Sequence, residues 1–381
     1  MLFPIETAYR FVMQRRRQQF AIAPVRVEGC TIVSVGNLTT GGTGKTPCVQ
    51  WIARHFQNGG ARVAIVARGY GGTMSSQGAI VSDGTTIFQD AREVGDEPLL
   101  HARALSDVAV VIGRDRIEAA RRAVRECGAE VIVLDDGFQY WSLARDCDLV
   151  LLDARRPFGN GHLLPRGRLR EEAAALGRAS AIGLTRADAA TTDQLAATRA
   201  QVRTQSDAPI FEARHAPAEL RREFGPRENA TDGSSITDEA RTDEAANGET
   251  INSETTNGEA TKAGDEWRFA SRRSLESLRG ARVVALSALA DNANFQRTLI
   301  DLGACVASHV ARRDHHAWRE WEMRRAARLA QENDALLITT EKDAVKMQAF
   351  DLPVALWSLV IALQITRGED DLRALLDHAI T

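Results

Sequence analysis

Residues 34–56, SVGNLTTGGTGKTPCVQWIARHF, pass from an apolar run through a glycine-dense turn into a helical pattern. Such a turn can cradle phosphate: glycines let backbone N–H groups wrap an anion, a lysine reaches the β/γ oxygens, and a threonine hydroxyl ligates Mg²⁺ at a helix start. The strict pattern G-x-x-x-x-G-K-[ST] asks for glycine at position 39, where Thr39 stands. The rest, Thr40, Gly41, Gly42, Thr43, Gly44, Lys45 and Thr46, fits, and Lys45 is one of only four lysines in the chain. A merely flexible turn has no need of a Lys-Thr pair behind a buried strand, so nucleotide binding is the expectation. A second run, VIVLDDGFQ, ends in Asp135 and Asp136. A carboxylate at a strand's end is where phosphate-loop enzymes hold magnesium, whereas a helix cap would need only one.

These residues need a scaffold. Short Val/Ile runs alternate with helical stretches: CTIVSVG then Pro47 to Gln57, RVAIVA, VAVVIG then Asp115 to Cys127, EVIVLDD, CDLVLLDA and ASAIGLT. That alternation is the mark of a doubly wound parallel sheet of the P-loop NTPase kind. The theme returns on a smaller scale in RVVALSAL, Asn294 to Leu302, CVASHV, Trp318 to Glu332 and ALLITT. The expected division is an N-terminal helix over 1–27, a phosphate-loop α/β domain over 28–225, an insert over 226–266 and a smaller α/β domain over 267–381.

The insert is polar and nearly free of aliphatic side chains, too poor in apolar surface to offset the entropy of ordering, and is expected to be disordered. It holds eleven acidic and three basic residues, so the net charge of −3 conceals a mildly basic body of about +5, suited to an anionic substrate. The five scattered cysteines lack close pairing, which fits a reducing compartment and argues against a zinc or redox site. No apolar run is long enough to span a bilayer. At the start, IETAYRFVMQRRRQQF mixes Ile5, Phe11, Val12 and Phe20 with Arg10, Arg15, Arg16 and Arg17. Such a helix either lies on an anionic membrane surface or docks on its own domain. The positive charge is scattered and no nucleic-acid recognition module accompanies it, so no nucleic-acid partner is expected, nor is an obligate protein partner inferred.

The ordered series VGNLTTGGTGKTP, ARGYGG, GDEP, GRDR, LDDGFQ, DARRPFGNGHLLPRGRLRE, DHH and TTEKDAVKM closely resembles the tetraacyldisaccharide 4'-kinase family, over almost the whole chain apart from the insert. The resemblance implies transfer of the γ-phosphate of ATP to the 4'-hydroxyl of a tetraacylated glucosamine disaccharide 1-phosphate at the cytoplasmic face of the inner membrane, with two hinged α/β domains and an N-terminal helix on the membrane. It implies that Asp96 is the catalytic aspartate, paired with His315, with His316 as runner-up, and that Glu97 is its acidic neighbour near the metal. It places Thr46, Glu97, Asp135 and Asp136 on the magnesium side, Gln139 against nucleotide or sugar, and Arg170 near the reacting phosphates. Arg114 and Arg116 are available to nucleotide or to the substrate's 1-phosphate, and Thr340, Glu341, Lys342 and Asp343 to the nucleotide side of the cleft; a capped helix start accounts equally well for those four. Two departures stand out: Tyr140 where the family has histidine, and ALSALADNANF where a glycine- and proline-containing turn is expected.

Phosphate loops also serve partition-type and regulatory ATPases, the competing class. Those loops commonly carry an extra lysine just before the paired glycines, where this chain has Thr40.

Overall fold

The computed structural model describes residues 3–20, 23–224, 271–289, 291–314, 316–347 and 352–380. The insert at 226–266 and His315 lie outside the described residues. A long helix, α1 (Phe3–Phe20), precedes β1 (Thr31–Asn37), α2 (Lys45–Asn58), β2 (Val63–Ala67), β3 (Ala79–Ser82), α3 (Ala91–Val94), α4 (Asp96–Ala104), β4 (Val108–Ile112) and α5 (Arg116–Cys127). Then come β5 (Val131–Asp135), β6 (Cys147–Asp153), β7 (Ala181–Thr185), α6 (Thr192–Arg203) and a long β8 (Ile210–Phe224). The second half holds β9 (Arg272–Arg273), β10 (Arg282–Ser287), α7 (Asn292–Asp301), β11 (Cys305–Ala311), α8 (Glu320–Glu332), β12 (Leu336–Thr340), α9 (Glu341–Ala344), β13 (Leu356–Arg367) and α10 (Glu369–Ile380).

The strands join one sheet in the order β11-β10-β12-β13-β8-β7-β6-β1-β5-β2-β4-β3, with β9 pairing β8. Around the phosphate-loop strand everything is parallel: β1 lies between β5 and β6, and β2, β4 and β7 extend the array. Its strands β2, β4, β5 and β7 are buried along their full length, as the continuous apolar runs require. Only the edge strand β3 runs antiparallel there.

The two halves are joined by a feature that apolar alternation does not announce. β8, fifteen residues long, pairs with β7 through Ile182 and Ile210 at its start and pairs antiparallel with β13 over the rest of its length. β12 lies parallel to the first residues of β13, and β10 parallel to β12. The carboxyl ends of the second-half strands therefore point back at the carboxyl ends of β1, β6 and β7, where open α/β sheets bind ligands. Arg155, just after β6, has its pKa raised chiefly by its hydrogen bond to Asp153 and the charge of that carboxylate, with a last, small contribution from Asp291, just before α7.

Packing does not follow the expected 267–381 boundary. Leu372 and Leu376 of α10 sit in the core cluster of the first half, beside Val49, Ile52 and Phe56 of α2. His55 pairs with Asp377 at 2.7 Å, and the Arg373 guanidinium lies 4.8 Å from the Trp51 ring centre. The last helix thus straps the chain's end onto the phosphate-loop half. Among the described residues no helix is long and apolar enough to cross a membrane.

Candidate active site

β1 delivers the chain to the loop, and Asn37 at its end is buried with Nδ2 donating to the Thr43 hydroxyl at 2.9 Å. Thr185 Oγ1, at the end of β7, donates to the Thr43 carbonyl at 2.9 Å, and Arg186 Nη2 donates to the Gly42 carbonyl at 2.6 Å. The loop is thereby held from neighbouring strands before any ligand arrives. Thr39, at the position of the missing glycine, bridges Leu169 and has no positive φ, a geometry that any residue adopts and that explains why glycine is dispensable there.

Gly44 is different. It caps α2 at φ 78°, and a Cβ built there would lie 2.0 Å from His215 Nε2 on β8. Gly44→Ala is therefore expected to cost about 1–3 kcal/mol from left-handed strain and overlap together. Thermal unfolding should show the loss, and adding His215→Ala should restore only the steric part. His215 Nε2 is buried without a hydrogen-bond partner, and burial first, then the Arg186 charge, lowers the pKa of this imidazole.

Lys45 opens α2, and its ammonium lies 3.5 Å from Asp136 Oδ1. Arg170 Nη1 donates to both oxygens of the same carboxylate at 2.9 Å. Asp136 holds a left-handed backbone, φ 55°, an uncommon conformation for a non-glycine residue and a sign of local constraint. Burial pushes its carboxyl up, but the Lys45 and Arg170 charges outweigh that and hold it below the usual carboxylate range.

Asp135 ends β5 in register with Val35 of β1. It is buried, its Oδ2 lies 3.4 Å from Nε2 of the fully buried His101, and its Oδ1 has no protein partner. Glu97 stands nearby on α4, open at the surface yet ringed by protein atoms; this desolvation, then the negative charge of Asp135, raises its pKa against Lys45 and His101. An orphaned buried carboxylate oxygen beside a second carboxylate of raised pKa is a donor set that fits a hard divalent cation. Asp96 opens α4 immediately before Glu97 and is half-buried. The preceding Gly95 has φ 89°, and a Cβ there would lie 2.5 Å from the Tyr70 carbonyl, so ARGYGG and GDEP pack as one unit.

The structure gathers Lys45, Glu97, Asp135, Asp136 and Arg170 into one set of mutually felt charges, and Arg116 joins them. Arg116 is buried, and its pKa is lowered first by burial and then by Arg68, while Asp136 and Asp135 oppose. Arg114 lies outside, exposed. Tyr140 is occupied structurally, since its hydroxyl accepts from Arg116 N and donates to Asp115 Oδ1, both at 3.2 Å, fixing the start of α5. Gln139 is engaged within the protein, its Nε2 donating to the Asn37 carbonyl and to Glu171, each at 3.0 Å.

Across the cleft, His316 Nε2 pairs with Glu322 at 2.8 Å, ties to the first turn of α8, and packs edge-on to Trp318. In the TTEKDAVKM element, Asp343 is buried, receives the Ala288 N–H at 2.9 Å, and shares the Thr340 cap of α9. Glu341 is buried against Arg221 and the Ile361 N–H. Lys342 reaches the surface and pairs with Asp314 at 3.1 Å. Three of these four side chains, Thr340, Glu341 and Asp343, therefore serve the fold of the second half. Asn37, inside VGNLTTGGTGKTP, has no role assigned from sequence, and His101, Arg186 and His215 carry no motif; the one available signal among the last three is the polar LTRAD that ends a buried strand beside the loop.

A family profile described as tetraacyldisaccharide-1-P 4'-kinase matches residues 1–381. The chain belongs to that family. A tetraacyldisaccharide 4'-kinase of Anaeromyxobacter sp. strain K is 41% identical over 363 residues, 94% of this chain and 84% of its own. Another, of Anaeromyxobacter sp. strain Fw109-5, is 40% identical over 353 residues, 92% and 83%. Among solved structures, the ATP complex of the "apo" form of LpxK from Aquifex aeolicus matches with TM-score 0.72 at 24% identity, over 100% of this chain and 98% of that one, a likeness of fold. The P-loop NTPase-like sheet expected from the apolar runs is thus the fold of the family.

Proposed function

We infer that the protein is an ATP-dependent tetraacyldisaccharide 4'-kinase, moving the γ-phosphate of ATP to the 4'-hydroxyl of tetraacyldisaccharide 1-phosphate and forming lipid IVA in lipid A biosynthesis. Family membership decides against the partition-type ATPase. The observation that carries the residue roles is the convergence of Lys45 and Arg170 on Asp136 at the mouth of the phosphate loop. One carboxylate parks two cations where a more highly charged triphosphate then takes them over.

Lys45 and the loop N–H groups bind and neutralise the triphosphate, and Arg170 stabilises charge spread over the transferred group without changing protonation. Asp135, with Glu97 and Thr46, would hold Mg²⁺, which supplies charge neutralisation at the β/γ oxygens. Asp136, paired to two cations, serves chiefly to orient them. Asp96 accepts the sugar hydroxyl's proton with help from His315; His316 is committed to Glu322. The assisting histidine and the loop belong to different halves of the sequence, so closure precedes transfer and excludes water, which otherwise would compete for the phosphoryl group.

The lipid substrate places the reaction at a membrane, and we assign the contact to α1 on the cytoplasmic face of the inner membrane. Phe3, Ile5, Phe11, Val12 and Phe20 are exposed on it, five of the eleven exposed large apolar side chains among the described residues. Arg15, Arg16 and Arg17 add positive charge for an anionic surface. Membrane contact and docking on the chain's own domain are compatible in this one helix, because Glu6, Tyr9 and Arg10 engage the domain while Ile5, Phe11 and Val12 stay exposed.

Incubation with γ-labelled ATP and the disaccharide lipid is expected to give labelled lipid. Asp96→Ala and His315→Ala should each lower turnover about 10²-fold or more while ATP binding persists. Label released only as inorganic phosphate sinks the kinase reading; full turnover in both variants sinks the base.

A further inference from the structure

Helix α1 is exposed along most of its length, yet its single carboxylate is buried. Glu6 accepts the Leu163 N–H at 3.1 Å and pairs with Arg166 at 3.3 Å and His162 at 3.5 Å. One turn on, Tyr9 packs against the core cluster containing Leu38, Phe138 and Leu169, and its hydroxyl donates to the Arg170 carbonyl at 3.1 Å. Arg10 pairs with Glu172 at 3.0 Å. Positions 6, 9 and 10 share one helical face, so this side of α1 is a polar clamp on the loop 162–172.

The peptide of Arg170 is consequently held from two sides. Its N–H donates to the carbonyl of Leu38, the residue before the phosphate loop, at 2.7 Å, and its C=O receives Tyr9. The Thr40 N–H donates to the Arg168 carbonyl at 2.8 Å, stitching the same segment to the loop. From this backbone the guanidinium reaches Asp136, and Asp136 reaches Lys45. Arg170 is half-buried, and a long side chain in that setting keeps its geometry only if its backbone is fixed.

We propose that Tyr9 is a positioning residue for phosphoryl transfer: with Glu6 seating the helix, its hydroxyl fixes the main chain of Arg170 and so the guanidinium at the phosphate loop. The helix that contacts the lipid surface thereby also sets the reaction geometry. This rests on Arg170 acting in transfer as described above.

The test uses the full chain with substrate dispersed in detergent micelles, comparing Tyr9→Phe, Arg170→Ala and the double variant. Tyr9→Phe is expected to lower kcat about two- to tenfold, the weight of one hydrogen bond, with KM for ATP and for lipid unchanged. Sedimentation with phosphatidylethanolamine–phosphatidylglycerol vesicles should be unaltered. In the Arg170→Ala background, Tyr9→Phe should cost nothing further, because both act through one side chain. Glu6→Gln is expected to lower kcat in the same direction and supplies a second reading should Tyr9→Phe lower the unfolding temperature. Normal kcat in Tyr9→Phe with an impaired Arg170→Ala overturns the positioning role alone, as do additive losses in the double variant. Normal kcat in Arg170→Ala overturns the role of the arginine itself, and this proposal with it.

Discussion

Lys45→Ala is expected to reduce phosphoryl transfer by about 10³-fold or more, the range seen when a cation at the transferring group is removed. Lys45 is the single lysine of the glycine loop, and its side chain is only 14% exposed, so bulk water cannot replace its charge efficiently. The loss should fall on chemistry more than on folding. Its partner Asp136 is about one-third exposed, and a pair so placed adds little to stability, within about 1 kcal/mol. The variant also tests the electrostatics of Asp136. With Lys45 gone, Arg170 alone opposes burial, and the Asp136 carboxyl should rise toward or above the usual carboxylate range. In the wild-type chain the lowered pKa means that the pair's contribution is complete above the ordinary carboxylate range and is lost only as pH falls through the lowered value. Single-turnover transfer from γ-labelled ATP gives the first answer. A variant retaining about a tenth of wild-type transfer would remove Lys45 from the mechanism as drawn.

Much of the first half could be read directly. β2, β4, β5 and β7 are buried on both faces, so their apolar runs stand out without periodicity, and the glycine loop and double aspartate mark strand ends by composition. The ribbon of β8 and β13 was not legible in the same way. IFEARHAPAELRREF interleaves charges, a proline and a histidine because it crosses between two halves with only parts of its length buried, and several of its charges are satisfied locally, as Arg221 is by Glu223 and Glu341. The strapping of α10 onto α2 is a long-range contact that local pattern cannot encode. In the site, residues that touch phosphate chemistry are drawn from a narrow set of types at fixed spacing and so declare themselves. The residues that hold them, Asn37, Tyr9, Arg186 and His215, act through one or two hydrogen bonds or one packing contact each, and many residue types can do as much at many spacings. Tyr140 shows the converse: where the motif resemblance leads one to expect histidine, the tyrosine is occupied with fixing the start of α5.

Asp135→Asn separates two roles that the geometry allows for one carboxylate. As the structural partner of His101, Asp135 needs only an acceptor at Oδ2, and an asparagine oxygen supplies it. As a metal carboxylate it needs its charge. Taking an ionised group out of water is costly, and Oδ1 is buried with no protein donor to compensate, so removing the charge should leave stability unchanged or raise it. The expected result is an unfolding midpoint at or above wild type with transfer lower by about 10²-fold or more. ATP binding measured by calorimetry with and without Mg²⁺ provides the independent readout: the wild-type affinity should depend on the cation and the variant's should not. The placement of Glu97 strengthens this expectation, since a neighbouring carboxyl of raised pKa ionises more readily once Asp135 is neutral, and cannot by itself recover a site built on two charges. Wild-type transfer in Asp135→Asn would mean that the buried pair serves the fold alone, and that the cation is held by Glu97 and Asp136 instead.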